Sequence, residues 1–264
     1  MIEWTVFLTI GLIVGIVTAF LGIRSDRFFA ILLMLFIAGL SAKESVDIFL
    51  WIMFIGSATM LLANKDSLAK IPKDNKVKFL TLVPLFAVIS VFLGTLIFIN
   101  VSNTVLLWIL GIITVIYGLR MIFIHYTSHD LQDKDANPKI KKLCGLLGPV
   151  VSGFSIGLIG TSLKSLKIAF AVKIGKMNMK QVYLGNTITI FYSSLFAIVI
   201  HNILRHNSST VVFSTMLIAA SLWVLIHFTF EITTIFIREN WRKPAQIIVG
   251  IFLFVAAIKV FLLI

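Results

Sequence analysis

Two short polar runs interrupt an otherwise apolar chain, and they hold the residues best suited to chemistry. The first reads Gly22-Ile23-Arg24-Ser25-Asp26-Arg27 and the second Gly160-Thr161-Ser162-Leu163-Lys164-Ser165-Leu166-Lys167. Each run directly precedes a short apolar segment and so exposes a helix amino terminus. Unpaired N–H groups and the positive end of the helix dipole favour an anion there by up to about 1–2 kcal/mol in partly buried geometry. Ser25, Thr161 and Ser162 add hydroxyl donors. Arg24 can hold an oxyanion through two parallel hydrogen bonds, with Lys164 acting as a point charge from the other run. The expected substrate-binding set is therefore Gly22, Arg24, Ser25, Gly160, Thr161, Ser162 and Lys164, and the expected ligand is a small oxyanion. A plainer alternative stays open, in which both runs are interfacial loops with Arg and Lys reaching for headgroups and Ser or Thr capping helices. Asp26 belongs to either reading, because it can cap the short helix or pair with Arg24 or Arg27.

Other polar residues carry weaker signals. Asn186, Thr189 and Ser193 recur at spacings of three and four, a narrow polar stripe on an apolar helix. Asn186 and Ser193 join the candidate substrate contacts, and interhelical hydrogen bonding is the competing role. Asp47 and Glu231 are carboxylates near predicted helix ends, where solvation or a salt bridge competes with proton coupling. His227, four residues before Glu231, titrates near neutrality and is the better relay candidate. His125, His129 and Asp130 share a helical face but have no further ligand at metal spacing, so a solvated loop is favoured there. Cys144 reads as a small apolar residue. No G-x-S-x-G, H-E-x-x-H or P-loop pattern occurs, so neither an enzyme, nor a metal, nor a cofactor is expected.

The elements that must position these residues are transmembrane helices. Of 264 residues, 59% are hydrophobic and 13% charged, against roughly 45–50% apolar and ~25% charged in soluble domains. Apolar runs at 4–21, 27–39, 46–63, 78–99 and 103–124 precede a polar stretch. A second series follows at 145–160, 163–175, 181–200, 210–236 and 245–264. Most approach the ~20 residues that cross hydrocarbon, but the second member of each series is short. The expected fold is an all-α polytopic bundle with short or re-entrant second helices. The net charge of +12 falls mainly in short loops, as the positive-inside bias requires, which argues against nucleic acid as a partner. The amino terminus has no basic n-region, so the first segment is expected to stay in the mature chain.

The chain also reads as a duplication. Shifting by 138 residues puts Gly15 on Gly153 and Gly22 on Gly160; a two-residue gap then aligns Gly39 with Gly175 and Val46 with Val182. The expected organisation is a first repeat at 1–124, a cytoplasmic linker at 125–142 and a second repeat at 143–264. Lys65, Lys70, Lys73, Lys76 and Lys78, with Arg238, Arg242 and Lys243, mark cytoplasmic loops. Because each repeat has an odd number of segments, the two enter the membrane from opposite sides, an inverted arrangement used by secondary transporters.

The block formed by a Gly-spaced helix, Leu21-Gly22-Ile23, a short apolar helix, Gly39-Leu40-Ser41 and a helix beginning near Val46 resembles the sulfite exporter TauE/SafE family of membrane permeases. The resemblance extends over both halves. It implies a multi-pass protein of a prokaryotic plasma membrane that transports a sulfur-containing or organic anion such as sulfite or a sulfonate. The turn departs from the family's usual Gly-Ile-Gly-Gly-Gly: here it is Gly22-Ile-Arg-Ser-Asp26 and Gly160-Thr-Ser-Leu-Lys164, and the proline that often follows is missing. Two functional readings follow. One is a permease working by alternating access on a small anion; the other is a non-transporting membrane partner, or a lipid-linked anion translocator, in envelope assembly. The expected partners are membrane lipids and the anionic substrate, and a homo-oligomer stays open.

Overall fold

Hydrocarbon leaves backbone groups no solvent partner, so an apolar chain of this kind satisfies them within helices. A computed structural model describes residues 4–21, 28–65, 82–123, 138–164, 171, 179–237 and 241–264. The helices are α1 (Trp4–Leu21), α2 (Phe29–Phe36), α3 (Ala42–Ala63), α4 (Val83–Asn100), α5 (Asn103–Phe123), α6 (Pro138–Ile159), α7 (Met179–Leu204), α8 (Ser209–Phe236) and α9 (Arg242–Leu262). Among the described residues six helices are long and apolar enough to cross a membrane, namely α1, α3, α5, α7, α8 and α9. The apolar parts of α4 and α6, Pro84–Asn100 and Leu147–Ile159, are shorter. Large apolar side chains face outward along whole helices, as with Trp4, Leu8, Leu12 and Ile16 on α1 and Ile248, Ile251, Val255 and Ile258 on α9. Such a surface suits lipid and would drive association in water. The chain is a multi-pass helical membrane protein.

Local sequence accounts for the helix boundaries. α2 is a short helix of eight residues, as its apolar run suggests. It is followed by Gly39 in the left-handed region at φ 65°, a conformation glycine adopts without strain. α3 then starts on a capping box: the Ser41 hydroxyl and backbone N–H both donate to Glu44, at 2.7 and 2.9 Å, and the Glu44 N–H returns to Ser41 Oγ at 3.3 Å. α6 begins at Pro138, inside the stretch read as linker. Proline at a first helical turn needs no N–H partner, so residues 138–142 extend the helix instead of connecting to it. The short segment expected at 163–175 lies almost wholly outside the described residues.

Two compact units emerge, each drawing on both halves of the sequence. The first comprises Met1–Ile52, Val101–His125 and Ser209–Ile264; the second comprises Met53–Asn100 and Tyr126–Ser208. In the first, α1 packs on α8 and α5 on α9; in the second, α4 packs on α6 and α7 packs on both. Small residues let these helices approach closely, the usual device where lipid offers no hydrophobic driving force. A Cβ on Gly94 would run into the Phe154 carbonyl oxygen, and one on Gly157 into the Val91 carbonyl oxygen.

The glycine contacts exchange between sequence halves. Gly111 meets Phe261 and Gly250 meets Ile122. Gly250 lies 139 residues after Gly111, and Ile122 the same distance before Phe261. Gly15 meets Thr229, and Gly153, its counterpart in the duplication, meets Ser90. Since Gly118 meets Gly250 and Phe254 while Gly111 meets Phe261, α5 and α9 run antiparallel.

Candidate anion site

The second polar run falls within the second unit, where the chain doubles back after α6. Gly160 has φ 73° and Leu163 φ 47°, so two left-handed residues three positions apart reverse the backbone. A long hydrogen bond of 3.5 Å from Ser152 Oγ to the Ser162 carbonyl brings the run beside Ser152. Ser152 stands near the middle of the apolar stretch Leu147–Ile159, so the break folds back beside the middle of that stretch. Irregular backbone at that depth needs protein or water around it. Thr161, Ser162 and Lys164 are all buried, Lys164 with 1% of its surface exposed.

An ammonium group is costly to hold in such a place without compensation. Part of the compensation is the ring of Tyr183, whose centroid lies 4.5 Å from Lys164 Nζ, an attraction of about 2 kcal/mol when desolvated. Tyr183 is one turn before Asn186 on α7, so the lysine reaches the start of the polar stripe. The described residues of this unit contain no Asp or Glu, and the charge buried among them is that of Lys164.

Most hydroxyls in the buried helices are satisfied locally. Thr18, Ser90, Thr114, Thr187, Thr189 and Ser194 each donate to the carbonyl four residues back, at 2.6 to 2.9 Å, the standard solution for such residues in membrane helices. At some positions among the described residues the pattern fails, Ser45 Oγ and Thr95 Oγ1 included. Ser162 Oγ, Ser193 Oγ and both amide atoms of Asn186 are buried and have no hydrogen-bond partner among the described residues. Ser193 and Ser194 make the contrast plain, since adjacent serines on one helix differ in this respect. Groups of this kind each cost about 1–3 kcal/mol when left unmatched, and native membrane helices keep few of them without use.

The expected residues are therefore only partly gathered. Gly160, Thr161, Ser162 and Lys164 form one buried turn, and the Lys164–Tyr183 contact brings it to α7 one turn before Asn186. Ser193 is seven residues beyond Asn186, about 10 Å along the helix axis. One small anion cannot touch both. Gly22, Arg24 and Ser25 lie outside the described residues, as do Asp26, His125, His129 and Asp130. His227 is exposed and stacked on Trp223, with ring centroids 5.1 Å apart. No group of three or more His, Cys, Asp or Glu side chains is placed to hold a metal among the described residues.

Two buried residues were missed by sequence reasoning. His201 ties α7 to the glycine seam: its Nε2 stands 2.9 Å from the Gly157 carbonyl, and its ring stacks on Phe98 at 4.3 Å. Arg120 is 3% exposed inside α5. It stands near the end of an apolar run, a position typical of boundary charges, and the sequence alone carries no signal of its burial.

A multi-pass helical fold with a buried, partly unmatched polar cluster defines a membrane protein with polar groups held among its helices. The chain belongs to the sulfite exporter TauE/SafE family, whose family model matches residues 67–260. Neither a curated protein nor a solved structure matches the chain. The match includes the second polar run, while the first precedes it.

Proposed function

We propose that the protein is a secondary permease for a small organic or sulfur-containing oxyanion, which it binds at the second break and moves by alternating access between two inverted halves. The observation that carries this reading is the set of buried, unmatched groups on Ser162, Asn186 and Ser193 in the unit that also buries Lys164. A hydroxyl, an amide N–H and an ammonium all donate to an anion, and together they can replace its hydration shell. The Ser193 hydroxyl, two turns away, offers a second resting point. Weak, separated contacts suit a substrate that has to leave as well as enter. Family membership supports the class of substrate. The antiparallel packing of α5 on α9, with exchanged contacts at Gly111 and Gly250, supports inverted halves. The competing reading, a membrane partner that transports nothing, gives no role to these groups.

The test is thermal stabilisation of the purified protein in detergent by sulfite and by small alkyl sulfonates. Wild type should gain stability with anion concentration, and Lys164→Ala should lose the gain while remaining folded. An unchanged response in Lys164→Ala would show the site to be misplaced.

A further inference from the structure

We infer that His201 is a positioning residue for the anion site: its imidazole N–H caps the broken end of α6 and holds the second polar run in register with α7. The inference rests on the permease reading above and deepens it, adding a residue that acts through a backbone carbonyl and not on the anion itself.

The end of α6 needs a cap, because a helix leaves its last carbonyls without intrahelical donors. The Gly160 N–H still returns to the Ile156 carbonyl at 2.9 Å. At Gly160 the backbone turns left-handed, and Thr161 lies beyond the helix, which releases the Gly157 carbonyl from the ladder. His201 of α7 meets that carbonyl with Nε2 at 2.9 Å. A carbonyl oxygen only accepts, so the contact requires the proton on Nε2. His201 is 1% exposed, and in such a place a lost hydrogen bond is not replaced by one to water.

Donor and acceptor are held from separate sides. The His201 ring stacks on Phe98 of α4 at 4.3 Å, with 21° between the planes. Gly157 is packed so closely on α4 that a Cβ would strike the Val91 carbonyl oxygen. The hydrogen bond therefore joins three helices of the second unit, α4, α6 and α7. Any aromatic ring could supply the stacking. The carbonyl contact needs an N–H, which a phenylalanine lacks.

Position along α7 gives the cap its consequence. After Gly157 the chain passes through Gly160, Thr161 and Ser162 to Lys164, whose Nζ stands 4.5 Å from the centroid of the Tyr183 ring. The segment Gly157–Lys164 is thus fastened to α7 at His201 and at Tyr183, which are 18 residues apart on that helix, or about 27 Å along its axis. Asn186 and Ser193, with their unmatched polar atoms, stand between the two fastenings. Without the His201 bond the polar run keeps its residues but loses one of the two contacts that set its register with the stripe. Binding groups work as a set only when held to within about 0.5 Å of the productive geometry.

The experiment measures stabilisation of full-length protein in detergent by sulfite and ethanesulfonate for wild type, His201→Gln, His201→Phe and His201→Leu. Glutamine can place an N–H close to where Nε2 stands; phenylalanine keeps the stacking and the volume without the donor. His201→Phe and His201→Leu should weaken apparent anion affinity about tenfold, and His201→Gln should recover most of it. A histidine kept for packing would give the opposite order, with His201→Phe binding as wild type does and His201→Gln melting lower with and without anion alike. Wild-type affinity in folded His201→Phe overturns the inference while leaving the permease reading intact. Should wild type itself show no anion-dependent stabilisation, the permease reading falls and this inference with it. If neither donorless variant folds, His201→Gln decides: affinity near that of wild type supports the donor role, and lost affinity in the folded protein overturns it.

Discussion

Asn186 is the residue whose two possible roles differ most sharply in energy. As interhelical glue it would be hydrogen-bonded, and removing it would cost stability. Both of its amide atoms are instead buried without a partner among the described residues, which makes it a cost of about 1–3 kcal/mol carried by the empty protein. Asn186→Leu, of similar volume, is expected to leave the ligand-free protein as stable or more stable in thermal melts. The same variant should lose anion-dependent stabilisation, the trade-off seen when a binding group is exchanged for packing. A destabilised Asn186→Leu protein with intact anion response would return Asn186 to a structural role. The polar stripe was legible in the sequence because Asn and Ser recur at helical spacing. Which members of it were satisfied was not, since Thr189 and Ser194 bond to their own helix and Ser193 does not.

At the scale of elements, the order of helices and breaks could be read from hydropathy, and the capping box before α3 from Ser41 and Glu44. The boundaries shifted where a helix continues through polar sequence, as at Pro138, which composition alone marks as loop. Arg120 escaped for the opposite reason. Charge near the end of a run reads as an interface, and only the packing of Gly118 and Ile122 on Gly250 reveals its depth. The glycines themselves divide into those that make a seam and those that do not. Gly94→Ala or Gly157→Ala drives a methyl group into the backbone of a neighbouring helix and should cost about 1–3 kcal/mol, measured as a lower melting temperature in detergent. Gly148 in α6 has nothing within 4 Å of where a Cβ would stand. Gly148→Ala should be neutral or stabilising by about 0.5–1 kcal/mol, as replacement of a helical glycine normally is. Equal gains at all three positions would mean that helix propensity and not close packing governs them.

For the whole molecule, the duplication proposed from spaced glycines requires contacts that exchange between the sequence halves. A two-fold relation sends a contact between one residue of the first half and one of the second into its mirror pair. The pairs Gly111 with Phe261 and Gly250 with Ile122 behave in this way. α5 and α9 run antiparallel, as the proposed inverted repeat requires of corresponding helices. The compact units cut across the sequence halves because helices pair with partners from the other copy. Such pairing could not be read from sequence, where hydropathy locates spans but says nothing about which of them touch.

The central claim is that this member of the sulfite exporter family moves an oxyanion past Lys164. Its most direct test is the flux of labelled sulfite into proteoliposomes containing wild type or Lys164→Gln at matched reconstitution. The account predicts saturable flux in wild type and loss of about tenfold or more in the variant, whose carbamoyl group keeps hydrogen bonding but removes the charge. Equal, saturable flux in both proteins would contradict it.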